Sequence, residues 1–281
     1  VISQLTGAFM RAILVALLVA TPSLLLPGLG QEITQIVALL AIFAAFFVFV
    51  EYAATYPGLV EFRDAPPYNR VRFLMLFATL FLITVACRGQ YDPTPLAEFV
   101  NAIGLLLGHS VDFPYSPLSI VMDALPRGTT AEQAQMVRIA AGLAYLVALV
   151  SLTLFAILIR LRSWPSPTGS FNVWINLPTF DPTAGTDVVK RLNRDARVNI
   201  ILGFVLPYTT PPLAAFIAAN HNLSMFSNDL TLVWTVTLWA FLPASLFMRG
   251  IAMHRLSDMI DAKRKRLVDA SIDHGDGLHA F

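Results

Sequence analysis

The side chains best placed for chemistry lie in GFVLPYTTPPLAAF, Gly203 to Phe216, where three prolines and two threonines interrupt an apolar run. Each proline removes a backbone donor, so the carbonyls of Gly203, Pro207 and Tyr208 lose their helical partners. In hydrocarbon such oxygens must be met by a neighbouring helix, by the hydroxyls of Thr209 and Thr210, or by a hydrated cavity. Interrupted helices are how many transporters build a midplane site, which makes Pro207, Thr209, Thr210, Pro211 and Pro212 a candidate solute site. Coupled transport also draws on intramembrane acids and bases. Glu51, Arg88 and His221 sit near span ends, and no Asp, Glu, Lys or His falls at a span centre. The pattern therefore reads as a bent helix in preference to an opened one.

His109 and His221 are the histidines outside the expected cytoplasmic segments, and a neutral imidazole can ligate haem, chlorophyll or a metal. Neither has a carboxylate or cysteine at ligand spacing, so no cofactor is expected and bound lipid is. A lipid-modifying enzyme would need Glu98, His109, Asp112 and His221 gathered from distant segments. G-x-S-x-G, H-E-x-x-H and the P-loop are all missing from the chain, and the expectation is a protein that is not an enzyme. The single cysteine, Cys87, excludes an internal disulfide and a cysteine metal cluster and is expected to be buried at a span end. Asn222-Leu223-Ser224 matches a glycosylation sequon but is read as a chance tripeptide.

The elements that would position these groups are membrane spans. Of 281 residues 56% are hydrophobic and 13% charged, and the mean hydropathy is +0.66, outside the usage of soluble domains. Runs long enough to cross a bilayer lie near 8–26, 33–53, 71–86, 139–159, 198–219 and 230–247. With the N-terminus inside, all but Arg88, Arg127 and Arg138 of the 19 basic residues fall on the cytoplasmic side. The expected fold is thus an all-α polytopic membrane protein of about six transmembrane helices with both termini cytoplasmic. Arg11 ahead of AILVALLVA resembles a secretory signal, but cleavage would leave five spans, so it is read as a retained first span. Val1 reads either as the residue after a removed Met or as a GTG start written literally, and the latter favours a bacterial inner membrane. A bundle over 1–252, with an outer cap at 89–135 and a cytoplasmic loop at 160–197, would be followed by a cytoplasmic helix and tail over 253–281.

The connections are expected to be ordered. Pro57-Gly58 and Pro66-Pro67 punctuate a cytoplasmic elbow in which Glu51 and Arg63 could pair, and Tyr52, Tyr56 and Tyr68 suit the headgroup layer. On the outer side, LAEFVNAIGLLLGHSVD places Leu96, Phe99, Ile103, Leu106 and Leu107 at helical spacing, which predicts an interfacial helix. Its GLLLG, Gly104 to Gly108, predicts a close helix contact within the cap. Ser116-Pro117 predicts the start of a second short helix. In SFNVWINLPTF, Phe171, Val173 and Ile175 alternate with Asn172, Trp174 and Asn176, which predicts a strand lying on the bundle or pairing with another chain. Lys190, Arg191, Arg194 and Arg197 surround a basic helix feeding the fifth span, and Lys263, Arg264, Lys265 and Arg266 end the sixth, both suited to anionic lipid.

The sequence is best matched by an accessory or assembly subunit of a larger membrane complex, for which respiratory and photosynthetic assemblies are plausible hosts. Phe171, Trp174 and the two basic clusters would be its partner or lipid contacts. A transporter or channel for a neutral small molecule is the rival, and a lipid-modifying enzyme the third reading. Nucleic acid is not implied.

Overall fold

The computed structural model describes residues 2–161, 164–165, 171–180, 187–221, 226 and 228–276. Among them the chain is all-helical, and six helices are long and apolar enough to cross a membrane. The first two, α1 (Ile2–Leu25) and α2 (Gln31–Ala53), turn on Gly28, whose φ of 75° suits a residue without a Cβ. They run antiparallel. The Gln4 side-chain amide donates to the carbonyls of Tyr52 and Ala53 at 3.4 and 3.3 Å, covering acceptors that the end of α2 would leave open. Only Val37, Ala41 and Glu51 of α2 are buried, so this helix leaves most of its apolar surface uncovered by the rest of the chain.

The centre is built by α3 (Tyr68–Arg88), α6 (Ala131–Leu161) and α9 (Asp229–Asp276). Leu80, Ile83, Val137, Ala140, Ala144, Val233 and Val236 meet there, nearly all of them fully buried. Small residues recur on α6 because helices in lipid associate by close packing, not by removing apolar surface from water.

Beyond α3, α4 (Pro95–Val111) begins as a capped helix, with Thr94 Oγ1 accepting from the amide of Ala97 at 3.2 Å. Ala97, Val100, Gly104 and Gly108 are the buried positions, while Leu96, Phe99 and Leu106 are exposed. The large apolar residues point away from the protein, and the small ones bring the helix onto α6. A Cβ on Gly142 would stand 2.6 Å from both the Gly104 carbonyl oxygen and the Gly108 nitrogen. The GLLLG contact is therefore made with the fourth span and not within the cap. Next, α5 (Pro117–Asp123) starts where Ser116 Oγ accepts from the amide of Ser119 at 3.0 Å.

The strand expected in SFNVWINLPTF is not formed. Val173–Asn176 makes one helical turn, α7, because Asn172 Oδ1 accepts from the amide of Trp174 at 3.0 Å and nucleates it. Asn176 then turns inward, its amide donating to the Asn172 carbonyl. The local Asn cap overrides the alternation of residue types.

The longest pairing joins α8 (Val188–His221) to α9. Both helices carry the expected basic segments as unbroken extensions of the fifth and sixth spans. Leu192 and Ala196 are buried, and a Cβ on Gly250 would meet the Ala196 carbonyl at 2.9 Å. At the tip Arg264 Nη1 bonds Asp187 Oδ1 at 2.6 Å. The Arg264 bond, helped by the amide of Val189, holds the Asp187 carboxyl below the usual carboxylate range. A lowered value means that this contact contributes fully above the ordinary aspartate range and is lost as pH falls through the lowered value. Amides at the start of α8 are therefore expected to lose protection, measured relative to their intrinsic exchange rate, in acid, while those near Ala196 keep theirs.

Candidate functional site

The proline-rich stretch remains helical throughout, α8 running without interruption past Pro207, Pro211 and Pro212. One released oxygen has a visible partner: the indole Nε1 of Trp239 on α9 donates to the Pro207 carbonyl at 3.2 Å. The threonines do something else. Thr209 Oγ1 donates to Val205 O at 3.2 Å and Thr210 Oγ1 to Leu206 O at 2.7 Å, each reaching back four residues. The expectation that they meet the released carbonyls is corrected, because i−4 geometry takes them to Val205 and Leu206. Replacing Trp239 with phenylalanine keeps an aromatic ring but leaves the Pro207 oxygen without its donor. A loss of about 1–3 kcal/mol is expected on unfolding in micelles, whereas Trp174→Phe, at an exposed ring, should cost little.

Beside this contact α6 and α8 diverge, since both pack on α9. The groove between them is a cavity of about 240 Å³ whose walls include Tyr145 and Leu149 of α6, Phe204, Pro207 and Tyr208 of α8, and Trp239, Pro243 and Phe247 of α9. Gly203 also lines it, and a Cβ there would press on the Phe247 ring and the Pro243 carbonyl at 3.0 Å. Of the sequence-predicted site, Pro207 lines this groove. Thr209, Thr210, Pro211 and Pro212 do not, and Thr209 and Pro212 are exposed.

The polar residues Glu98, His109, Asp112 and His221 do not gather. Arg138 of α6 holds Asp112 through Nε and Nη2 at 3.2 and 3.0 Å. His109 and His221 are both exposed, on helices that do not pack together. Glu98 and His109 lie eleven residues apart on α4, about 16 Å along its axis. Among the described residues no three His, Cys, Asp or Glu side chains form a group that could hold a metal. Cys87 is buried at the end of α3.

The connections around residues 54–67 and 171–180 converge more tightly. Residues 54–67, the elbow, dock on α7 and its flanks: the amide of Phe62 donates to Asn176 O at 2.7 Å and that of Asp64 to Asn176 Oδ1 at 3.0 Å. Phe62 has a φ of 51°, unusual for a bulky residue, and is fully buried. Its ring meets those of Tyr68, Trp164 and Phe171 at 4.5, 5.6 and 6.4 Å. Glu61 closes the assembly, accepting from Arg249 Nε and Nη2 at 2.6 and 2.7 Å and from the Thr179 hydroxyl at 3.0 Å. The expected Glu51–Arg63 pair is replaced by two separate contacts. Glu51 Oε2 accepts from the amides of Gly58, Leu59 and Val60, and Arg63 covers the carbonyls of Glu51, Ala54 and Thr55. A helix C-terminus offers open carbonyls to a cation, and the turn after Pro57 offers amides to an anion.

Phe171 thus belongs to the aromatic core of this platform, while Trp174 is 55% exposed and Tyr56 68% exposed. They border a cleft with Pro57, Asn172 and Pro178. Of the basic residues, Arg191 lies 4.5 Å over the Phe180 ring, and Lys265 pairs with Asp261 at 2.9 Å. Lys190, Arg194, Lys263, Arg264 and Arg266 are exposed. The Glu61–Arg249 and Asn176 contacts were not anticipated, although a lone glutamate within LVEFRDAPPY and two asparagines spaced as helix caps are the signals that could have marked them. No protein-family model matches this chain, and no curated protein or solved structure matches it either.

Proposed function

We propose that this chain is a non-enzymatic accessory or assembly subunit of a larger membrane complex. Six crossings would put both ends on one side, and the distribution of arginine and lysine supports the cytoplasm as that side; a bacterial inner membrane is the setting this reading takes. The supporting observation is the platform: a segment fixed by Glu61, Asn176 and a buried aromatic cluster holds Trp174 and Tyr56 outward around a cleft. Rigid exposed aromatics are the commonest anchors of protein interfaces. Respiratory and photosynthetic assemblies are the expected hosts, because they contain many subunits without catalytic groups. Anionic lipid around Lys190, Arg194 and the Lys263–Arg266 cluster would hold the helical arm near the surface. Gentle extraction followed by native electrophoresis tests this reading. Co-migration with a much larger assembly, weakened by Trp174→Ala, is expected; migration as a small homo-oligomer would overturn it.

The groove between α6, α8 and α9 supports a second reading, a transporter or channel for a neutral small molecule. Uptake lost in folded Pro207→Ala and kept in Thr209→Val would favour it, since only Pro207 borders the groove.

A further inference from the structure

Two residues in the walls of the groove between α6, α8 and α9 carry hydroxyls that the protein leaves unmet. Tyr145 of α6 and Tyr208 of α8 both line it and are half-buried. Among the described residues neither hydroxyl has a hydrogen-bond partner, and neither oxygen is sealed from the surface. The Trp239 indole in the same wall is already engaged, since it donates to the Pro207 carbonyl at 3.2 Å.

Both tyrosines lie well inside apolar runs. Tyr208 stands ten residues from Val198 and eleven from Ala219, about 15 Å from either end of the fifth run. Tyr145 is six residues beyond Ile139, about 9 Å into the fourth. A hydrocarbon core is about 30 Å thick, so with α6 and α8 crossing it both residues are set below the headgroup layer. Acyl chains offer a hydroxyl no acceptor there, and leaving the donor unpaired is costly. The rest of the groove suits a ring. Phe204, Trp239 and Phe247 supply aromatic faces, and the small Ala148, Ala240 and Ala244 leave space between them. Seven residues separate Tyr145 from Leu152, both in the wall, so the groove follows α6 for about 10 Å. Among the described residues no charged side chain lines it, which argues against an ionic ligand.

We propose that the groove binds a neutral, membrane-soluble molecule of the quinone class, whose carbonyl oxygens accept from the Tyr145 and Tyr208 hydroxyls while its flat ring lies among the aromatic walls. A hydrocarbon chain fits the walls but accepts nothing from a hydroxyl. A charged headgroup finds no counterion. This inference rests on the membrane placement and shares its groove with the transport reading, but it requires neither passage across the membrane nor the subunit role.

The full chain in phosphatidylcholine nanodiscs, titrated with a decyl-substituted benzoquinone, tests it through tryptophan fluorescence, which a quinone quenches on contact. A saturable quench is expected, smaller in Trp239→Phe, which takes the reporter out of the wall. Tyr208→Phe and Tyr145→Phe each remove one oxygen and should weaken the apparent affinity about five- to tenfold. Ala148→Leu, which fills space in the groove, should remove the saturable part. Decylbenzene has the ring and chain without the carbonyls and should not compete; competition equal to that of the quinone would make the groove a site for apolar chains and overturn the assignment. Quenching that never saturates, or unchanged affinity in both phenylalanine variants, would overturn it as well. Should Ala148→Leu fail to fold, the two phenylalanine variants carry the comparison. Discs have no second compartment, so uptake and co-migration are read separately and stand apart from this result.

Discussion

Replacing Arg249 with methionine is expected to lower stability by about 3–5 kcal/mol, the usual consequence of removing one partner of a buried ion pair. The bond is bidentate, and the Glu61 and Arg249 side chains are only 12% and 26% exposed, so solvent screens it little. With Arg249 gone, Glu61 keeps the Thr179 hydroxyl but loses its countercharge. The elbow should then loosen from α9, and exchange should quicken at the amides of Phe62 and Asp64, whose acceptors are on Asn176. Chemical unfolding in micelles gives the magnitude. The double variant Glu61→Leu, Arg249→Leu should recover much of the loss, because exchanging both ions for apolar groups of similar size is often nearly neutral. A double variant as unstable as the sum of the single changes would show that the two residues act independently.

Substituting Gly142 with alanine is the second large effect. The new methyl would stand 2.6 Å from backbone atoms of Gly104 and Gly108. Backbone cannot rotate aside as a side chain does, so α4 must lift from α6. About 2–3 kcal/mol is expected, in the upper part of the range for overpacking. Hydrogen exchange along α4 should rise while the α8–α9 pair stays protected. Gly30→Ala is the control, since a Cβ there meets nothing within 4 Å and its backbone is extended; it should move stability by less than about 0.5 kcal/mol. A change at Gly142 as small as at Gly30 would mean that the helices are not in close contact.

The candidate site was legible only in part. Pro207 could be singled out because a proline in an apolar run always releases a carbonyl, and that carbonyl is the one Trp239 meets. Trp239 itself could not be assigned, lying 32 positions away with nothing local to mark its donor. Thr209 and Thr210 looked like part of the same site because they are neighbours in sequence, but side-chain reach along a helix runs to the previous turn. The alternation in SFNVWINLPTF misled for a related reason. Periodicity records which residue types recur, whereas a one-turn helix is decided by two asparagine hydrogen bonds.

What the sequence determined by itself was the set of six helices long and apolar enough to cross a membrane, the start of α5 at Ser116-Pro117 and the continuation of the fifth and sixth of those six into basic arms. These follow from composition, length and local capping, which act over one helix at a time. The tertiary structure decided which face of α4 packs, which carbonyl receives the Trp239 indole, and that Glu61 finds Arg249 across 188 positions of chain. Those outcomes depend on how closely two backbones can approach and on which polar groups are left facing each other once they have, and neither quantity is written in a local pattern.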